Sequence, residues 1–120
     1  MKAHRLKDLL IWKKSIHLVK EIYLLCENLP TEEKFGLVSQ IKRCSISIPS
    51  NIAEGAGRNN TKEFIHFLGI ATGSMYELET QLILLNELNF IKECDIQPLI
   101  NQLTEIQKMV YSFKTKLKNG

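Results

Sequence analysis

Six side chains in the middle of this sequence are the ones whose types and spacing could do chemistry. Gln40, Arg43, Ser47, Asn51, Glu54 and Arg58 follow one another at intervals of three or four. On a helix they fall within about 60° of one direction, so they form a single ribbon. Gln, Arg and Asn make hydrogen bonds of fixed geometry, whereas Lys is the usual filler of a solvated face, and this ribbon has none. Beside it runs an apolar stripe of Leu37, Ile41, Cys44, Ile48, Ile52 and Gly55. A polar ribbon flanking a core face suits a helix–helix or subunit interface; the bland alternative is an ordinary wet surface. A second ribbon, Lys62, His66, Gly69, Gly73, Glu77 and Thr80, shares one side of the next segment. The two ribbons are expected to face each other, within or between subunits. Gly69 and Gly73 each cost about 1 kcal/mol of helix propensity relative to Ala, which suggests a backbone approaching closely there.

Catalytic signatures are missing from the sequence. HExxH, a GxGxxG after a strand and GxxxxGK[ST] do not occur. Gly55-Ala56-Gly57 follows no strand and is no phosphate loop. Glu63 and His66 match an ExxH pattern once, but a di-iron bundle needs a second copy and further glutamates. His4 and His17 have no ligand or nucleophile at useful spacing, and no cofactor or metal is implied. Trp12, Phe64, Phe67 and Phe113 read as core rather than as base-stacking platforms. The three cysteines, Cys26, Cys44 and Cys94, are far apart with no CxxC spacing. They read as small buried hydrophobes in a reducing compartment.

The elements that position these residues follow from apolar periodicity. Residues 8–28 repeat Leu9, Trp12, Ile16, Val19, Ile22, Tyr23 and Cys26, with Asp8 as the expected cap and Pro30 beyond the end. Residues 32–56 form the second segment after Thr31, and Pro49 should kink it or split it; the unbroken phase favours a kink. Residues 61–88 follow the cap Asn60, with Glu63 three residues on. Their stripe is Phe64, Phe67, Leu68, Ala71, Met75, Leu78, Leu82 and Leu85. Residues 95–116 follow Asp95, with Pro98 in the first turn and a stripe from Ile96 through Leu103 to Leu117. Four such helices with short connections predict an all-α, up-down-up-down four-helix bundle over residues 1–120, a single domain.

At 120 residues and 13.8 kDa the chain can bury about two-thirds of its unfolded surface, enough for one core without staples. It has no signal-peptide pattern and no apolar run of ~18 residues, so a cytoplasmic location without membrane contact is expected. Net charge is +3, but its distribution is uneven. Lys2, Arg5, Lys7, Lys13 and Lys14 face one acid, Asp8, in residues 1–14. Lys108, Lys114, Lys116 and Lys118 face none in residues 106–120. If the first and last helices are neighbours, Lys13, Lys14, Lys114, Lys116 and Lys118 could join in one basic patch for RNA or DNA phosphates. A frayed, solubilising tail is the alternative. No small-molecule substrate is evident.

The run QIKRCSISIPSNIAEGAGR at residues 40–58 and KEFIHFLGIATGSMYELETQL at residues 62–82 closely resemble the bacterial 23S rRNA-intervening-sequence proteins. Leu9, Ile11, Trp12, Lys13 and Lys14, and Glu33, Phe35, Gly36 and Leu37, fit the same pattern. Arg43, Ser47, Asn51, Glu54, Gly55 and Arg58 match its motif by residue type; Cys44 departs mildly, standing where a small residue such as Ala is usual. The resemblance implies a left-handed four-helix bundle that forms a ring-like homo-oligomer, typically a pentamer, without catalysis. Some members are encoded within insertions in large-subunit ribosomal RNA genes. A relative that accompanies the reverse transcriptase of diversity-generating retroelements binds nucleic acid. The competing reading is a structural or protein-interaction module that binds no nucleic acid.

Overall fold

In the computed structural model, residues 4–33 and 35–120 are described; Lys2 of the basic N-terminus lies outside them. The elements are α1 (Leu10–Cys26), α2 (Leu37–Gly57), α3 (Thr61–Glu87) and α4 (Glu93–Asn119). They make an all-α four-helix bundle measuring 46 × 23 × 20 Å. Each helix packs on its chain neighbours, α1 also packs on α4, and the α2–α3 contact is the most extensive. Cys44 of α2 meets Ser74 and Glu77 of α3, while Gly55 meets Phe64 and Phe67. Those two helices therefore run past each other in opposite directions.

Several helix ends differ from the expectation, each for a local reason. Asp8 does not cap α1: it sits in a 3-10 turn, Leu6–Asp8, its carboxylate 3.8 Å from Arg5. Leu9 takes the cap position with no side-chain bond. α2 starts at Leu37 rather than residue 32, because Thr31–Glu33 closes a separate 3-10 turn and Gly36 (φ −106°, ψ −109°) leaves helical geometry. Lys92, not Asp95, precedes α4. Asp95 instead lies in its first turn, where a carboxylate favours the helix dipole, and Pro98 falls one turn further in than expected. Asn60 does cap α3, its Oδ1 accepting the Glu63 N–H at 3.0 Å.

α2 continues without interruption through the buried Pro49. Proline supplies no N–H, and side chains bond backbone carbonyls on either side of it. Ser45 Oγ donates to Lys42 O, Ser47 Oγ to Cys44 O at 2.6 Å, and Asn51 Nδ2 to Ser47 O at 2.7 Å.

The core joins one stripe from each helix. From α3 it takes Phe64, Leu68, Ala71, Met75, Leu78, Leu82 and Leu85, all fully buried. In α1 the buried stripe is Ile11, Ser15, Leu18, Ile22 and Cys26. Leu9, Ile22 and Cys26 of the expected line are buried, whereas Trp12 and Val19 are half-buried and Ile16 and Tyr23 exposed. Ser15 occupies a core position because its Oγ donates to Trp12 O at 2.8 Å, which satisfies the hydroxyl inside the helix. Cys26 and Cys44 are buried as expected, but Cys94 is exposed in the first turn of α4.

Gly55 is where backbone and rings come together, not Gly69 or Gly73. A Cβ at Gly55 would sit 2.8 Å from Phe64 Cδ1 and 2.9 Å from Phe67 Cβ. Among the described residues, no atom of another element lies within 4 Å of a Cβ at Gly57, Gly69 or Gly73. Gly55→Ala should therefore lower stability by about 1–2 kcal/mol in urea unfolding, overpacking outweighing the helix-propensity gain of about 1 kcal/mol. Gly57→Ala should be neutral or stabilising. A stabilised Gly55→Ala would mean that the phenylalanine rings yield freely.

Candidate functional site

Two surfaces collect the residues singled out above. The first is a cleft of about 510 Å3 between α2 and α3. Gln40, Arg43, Cys44, Ser47 and Asn51 line it from α2, and Ile70, Ser74, Glu77 and Gln81 from α3. Of the second ribbon only Glu77 lines this cleft; Ile70, Ser74 and Gln81 do not belong to it. Ser47 and the Asn51 amide nitrogen are already bonded to α2 carbonyls, which leaves the Asn51 carbonyl oxygen, Gln40 and Arg43 as the groups α2 can offer.

Opposite them, the Cys44 thiol donates to Ser74 O at 3.1 Å and to Glu77 Oε1 at 3.3 Å. Burial pushes this thiol up to about 12, and the Glu77 hydrogen bond and charge act in the same direction. It is a donor that stays protonated at neutral pH, not a nucleophile. Burial likewise raises the Cys26 thiol, against the opposing charge of Lys42.

The other ribbon members lie elsewhere. Glu54 and Arg58 pair with each other at 3.3 Å on the exposed end of α2, and Arg58 stands 5.1 Å over the Phe67 ring. An exposed pair of this kind contributes only about 0.3–0.5 kcal/mol. His66, Gly69 and Gly73 are exposed on α3, outside the cleft. His66 packs edge-on to Phe67. Gln81 was missed by sequence reasoning: it is buried at 7% exposure, and its Oε1 has no hydrogen-bond partner among the described residues.

The second surface is the seam between α1 and α4, which are neighbours as the basic-patch expectation required. Leu10, exposed to 54%, sits at its centre. Toward one end Asp8 of the N-terminal turn and Lys108, Ser112 and Lys116 surround an apolar floor that includes Met109 and Phe113. Toward the other lie Lys13, Lys14, His17 and Gln102. Lys14 is paired with Glu105, and His17 lies 3.3 Å from Glu21. Lys13, Lys116 and Lys118 are exposed and Lys114 is half-buried. Lys108, which the sequence counted only as charge, belongs to this seam more directly than Lys114 or Lys118.

A third feature is apolar. Leu6, Trp12, Ile16, Val19, Ile46, Pro49 and Ala53 line a groove between α1 and α2. On α3, opposite its core stripe, Gly69, Gly73, Tyr76, Thr80 and Ile83 form an exposed ridge. No helix among the described residues is long and apolar enough to cross a membrane.

The family model described as 23S rRNA-intervening sequence protein matches residues 7–112. A solved structure from Bacteroides thetaiotaomicron, described as a protein of unknown function from the S23 ribosomal protein family, is similar at 31% identity with a TM-score of 0.81. That similarity covers 88% of this chain and 98% of that one. No match is found among the curated proteins. With the motif residues on α2 and α3, these matches place the chain by sequence and by fold: it belongs to the 23S rRNA-intervening sequence protein family.

Proposed function

We propose that this protein is a non-catalytic, cytoplasmic homo-oligomer that associates with RNA or DNA through the α1–α4 seam. The observation that carries the reading is the seam itself. Lys13 on α1 and Lys108 and Lys116 on α4 border one continuous surface, where the sequence alone had two separate basic ends. Lysine on phosphate gives affinity without reading bases. Assembly would repeat the seam in every subunit, so weak contacts would add as avidity.

The apolar groove on α1–α2 and the ridge on α3 support assembly. They are different surfaces of one chain, so joining one to the other makes a heterologous contact, which closes into a ring when the rotation allows. A pentamer is the closure favoured by the family resemblance.

A filter-binding titration with RNA and DNA across a salt series tests the reading. Binding should be largely insensitive to sequence and weaken steeply with salt, the log–log slope scaling with the phosphates neutralised. Replacing Lys13, Lys108 and Lys116 by Gln should flatten that slope by up to about three units. Replacing Lys114, Lys116 and Lys118 should flatten it less. Absence of binding at low salt, with the assembly intact, would favour the protein-interaction alternative.

A further inference from the structure

We propose that the nucleic-acid surface is polar along the bundle: it continues from the α1–α4 seam over the end that carries the α2–α3 turn, with Arg58 and Lys62 as its far phosphate contacts, and the opposite end stays free. The proposal rests on the nucleic-acid reading above and adds to it a direction and two residues outside the seam.

A row of rings joins the seam to that turn. Phe113, in the apolar floor of the seam, lies 5.4 Å from Phe64 in the first turn of α3, centroid to centroid. His4 rests edge-on to both, 5.3 Å from Phe64 and 5.7 Å from Phe113. Phe64 and Phe67 meet Gly55 near the end of α2, and the Arg58 guanidinium stands 5.1 Å over the Phe67 ring. The last turns of α4, the start of α3, the end of α2 and the N-terminal segment therefore share one end of the bundle. Cations follow the same row. Arg5 and Lys7 are exposed on the segment that His4 anchors. Lys116 borders the seam, with Lys114 and Lys118 beside it on α4. Lys62 is exposed two residues before Phe64, and Arg58 closes the row. Three carboxylates share this end, but Asp8 already lies beside Arg5 and Glu54 beside Arg58, which leaves Glu63.

The other end has the opposite sign. Asn28, just past α1, lies around one cleft with Phe90, Lys92 and Asp95, so the end of α1 and the α3–α4 connection come together there. Glu27, Glu32, Glu33, Glu87, Glu93 and Asp95 gather at this end, against Lys92 among the described residues. The bundle is 46 Å long, several times the screening length of about 8 Å at physiological salt, so the two ends act on a polyanion separately. A phosphate backbone is drawn to one and repelled by the other.

The dimensions suit a strand laid across the basic end. The bundle measures 23 × 20 Å in cross-section. One strand of a duplex advances about 3.4 Å per phosphate, so it passes about six phosphates between the seam and the turn. Arginine's planar fork pairs with phosphate in two parallel bonds, and Phe67 supports that plane from beneath.

The test is filter binding of the whole protein to a mixed-sequence DNA duplex and a mixed-sequence RNA across a salt series, with fold and assembly checked by circular dichroism and light scattering. Arg58→Gln combined with Lys62→Gln should flatten the log–log salt slope by up to about two units. Lys62→Gln alone, at a side chain with no ion pair among the described residues, should flatten it by up to about one. Lys42→Gln combined with Lys92→Gln removes the same net charge away from this end and should leave the slope unchanged. If the turn substitutions have no effect while those at Lys13, Lys108 and Lys116 flatten the slope, nucleic acid keeps to the seam; this proposal then fails and the seam reading stands. If the two pairs flatten the slope equally, binding follows net charge rather than place, which also overturns the proposal. Absence of binding by the unaltered protein at low salt would overturn both readings.

Discussion

Replacing Leu78 by Ala should destabilise the bundle by about 2–5 kcal/mol, and Leu103→Ala by a similar amount. Both side chains are fully buried, one on α3 and one on the facing stripe of α4. Truncation removes transfer free energy and leaves a cavity that a close-packed core fills only in part. A domain of this size holds about 5–15 kcal/mol in all, so either change forfeits a large fraction of it. Thermal unfolding should show a drop on the order of 10 °C for each. Two unchanged melting temperatures would mean that the apolar faces of α3 and α4 have been assigned wrongly.

The stripes on α2, α3 and α4 were legible because each repeats with little interruption. From Phe64 to Leu85, every expected α3 position except Phe67 is fully buried. α1 was misread because it carries apolar residues on two faces and a serine in the core. Periodicity alone followed Trp12, Ile16 and Val19, which line an outer groove, over Ser15, whose hydroxyl is satisfied within its own helix. Helix starts failed where a 3-10 turn absorbed the capping residue, since Asp8 and Thr31 look the same in either setting. Four members of the α2 ribbon, Gln40, Arg43, Ser47 and Asn51, line one cleft, while Glu54 and Arg58 pair with each other, as their i,i+4 spacing allows. Gln81 was hidden because a buried glutamine is indistinguishable from a solvated one in sequence. Glycine was informative at the wrong place: Gly69 and Gly73 face outward, and the close approach is at Gly55.

In solution the mass should be several times 13.8 kDa by light scattering in moderate salt. Ile46→Glu, in the α1–α2 groove, and Tyr76→Glu, on the α3 ridge, should each collapse the assembly to monomers, because a buried unpaired carboxylate is costly at an apolar contact. Tyr76 is exposed to 59% in the single chain, so neither substitution should disturb the fold, which circular dichroism can verify. Mixing the two variants gives the sharper result. A groove variant keeps its ridge and a ridge variant keeps its groove, so one sound contact remains per pair. An equimolar mixture should therefore form a dimer and stop, which a two-fold symmetric interface would not do. A clean monomer for the unaltered protein at micromolar concentration would refute the assembly and, with it, the avidity invoked for nucleic acid.

The ring of helix contacts is unequal in what its closure costs the chain. α2 and α3 are joined by residues 58–60 and share the largest contact, so their hairpin forms with little loop entropy. The α1–α4 seam joins segments at the two ends of the sequence and shares far less. Non-local closures of this kind form late in folding and open first in local unfolding. The surface proposed for nucleic acid therefore lies across the weakest join in the bundle. A polyanion touching Lys13 on one side and Lys108 and Lys116 on the other would act as a clasp, holding the chain's two ends together and stabilising the fold that holds it.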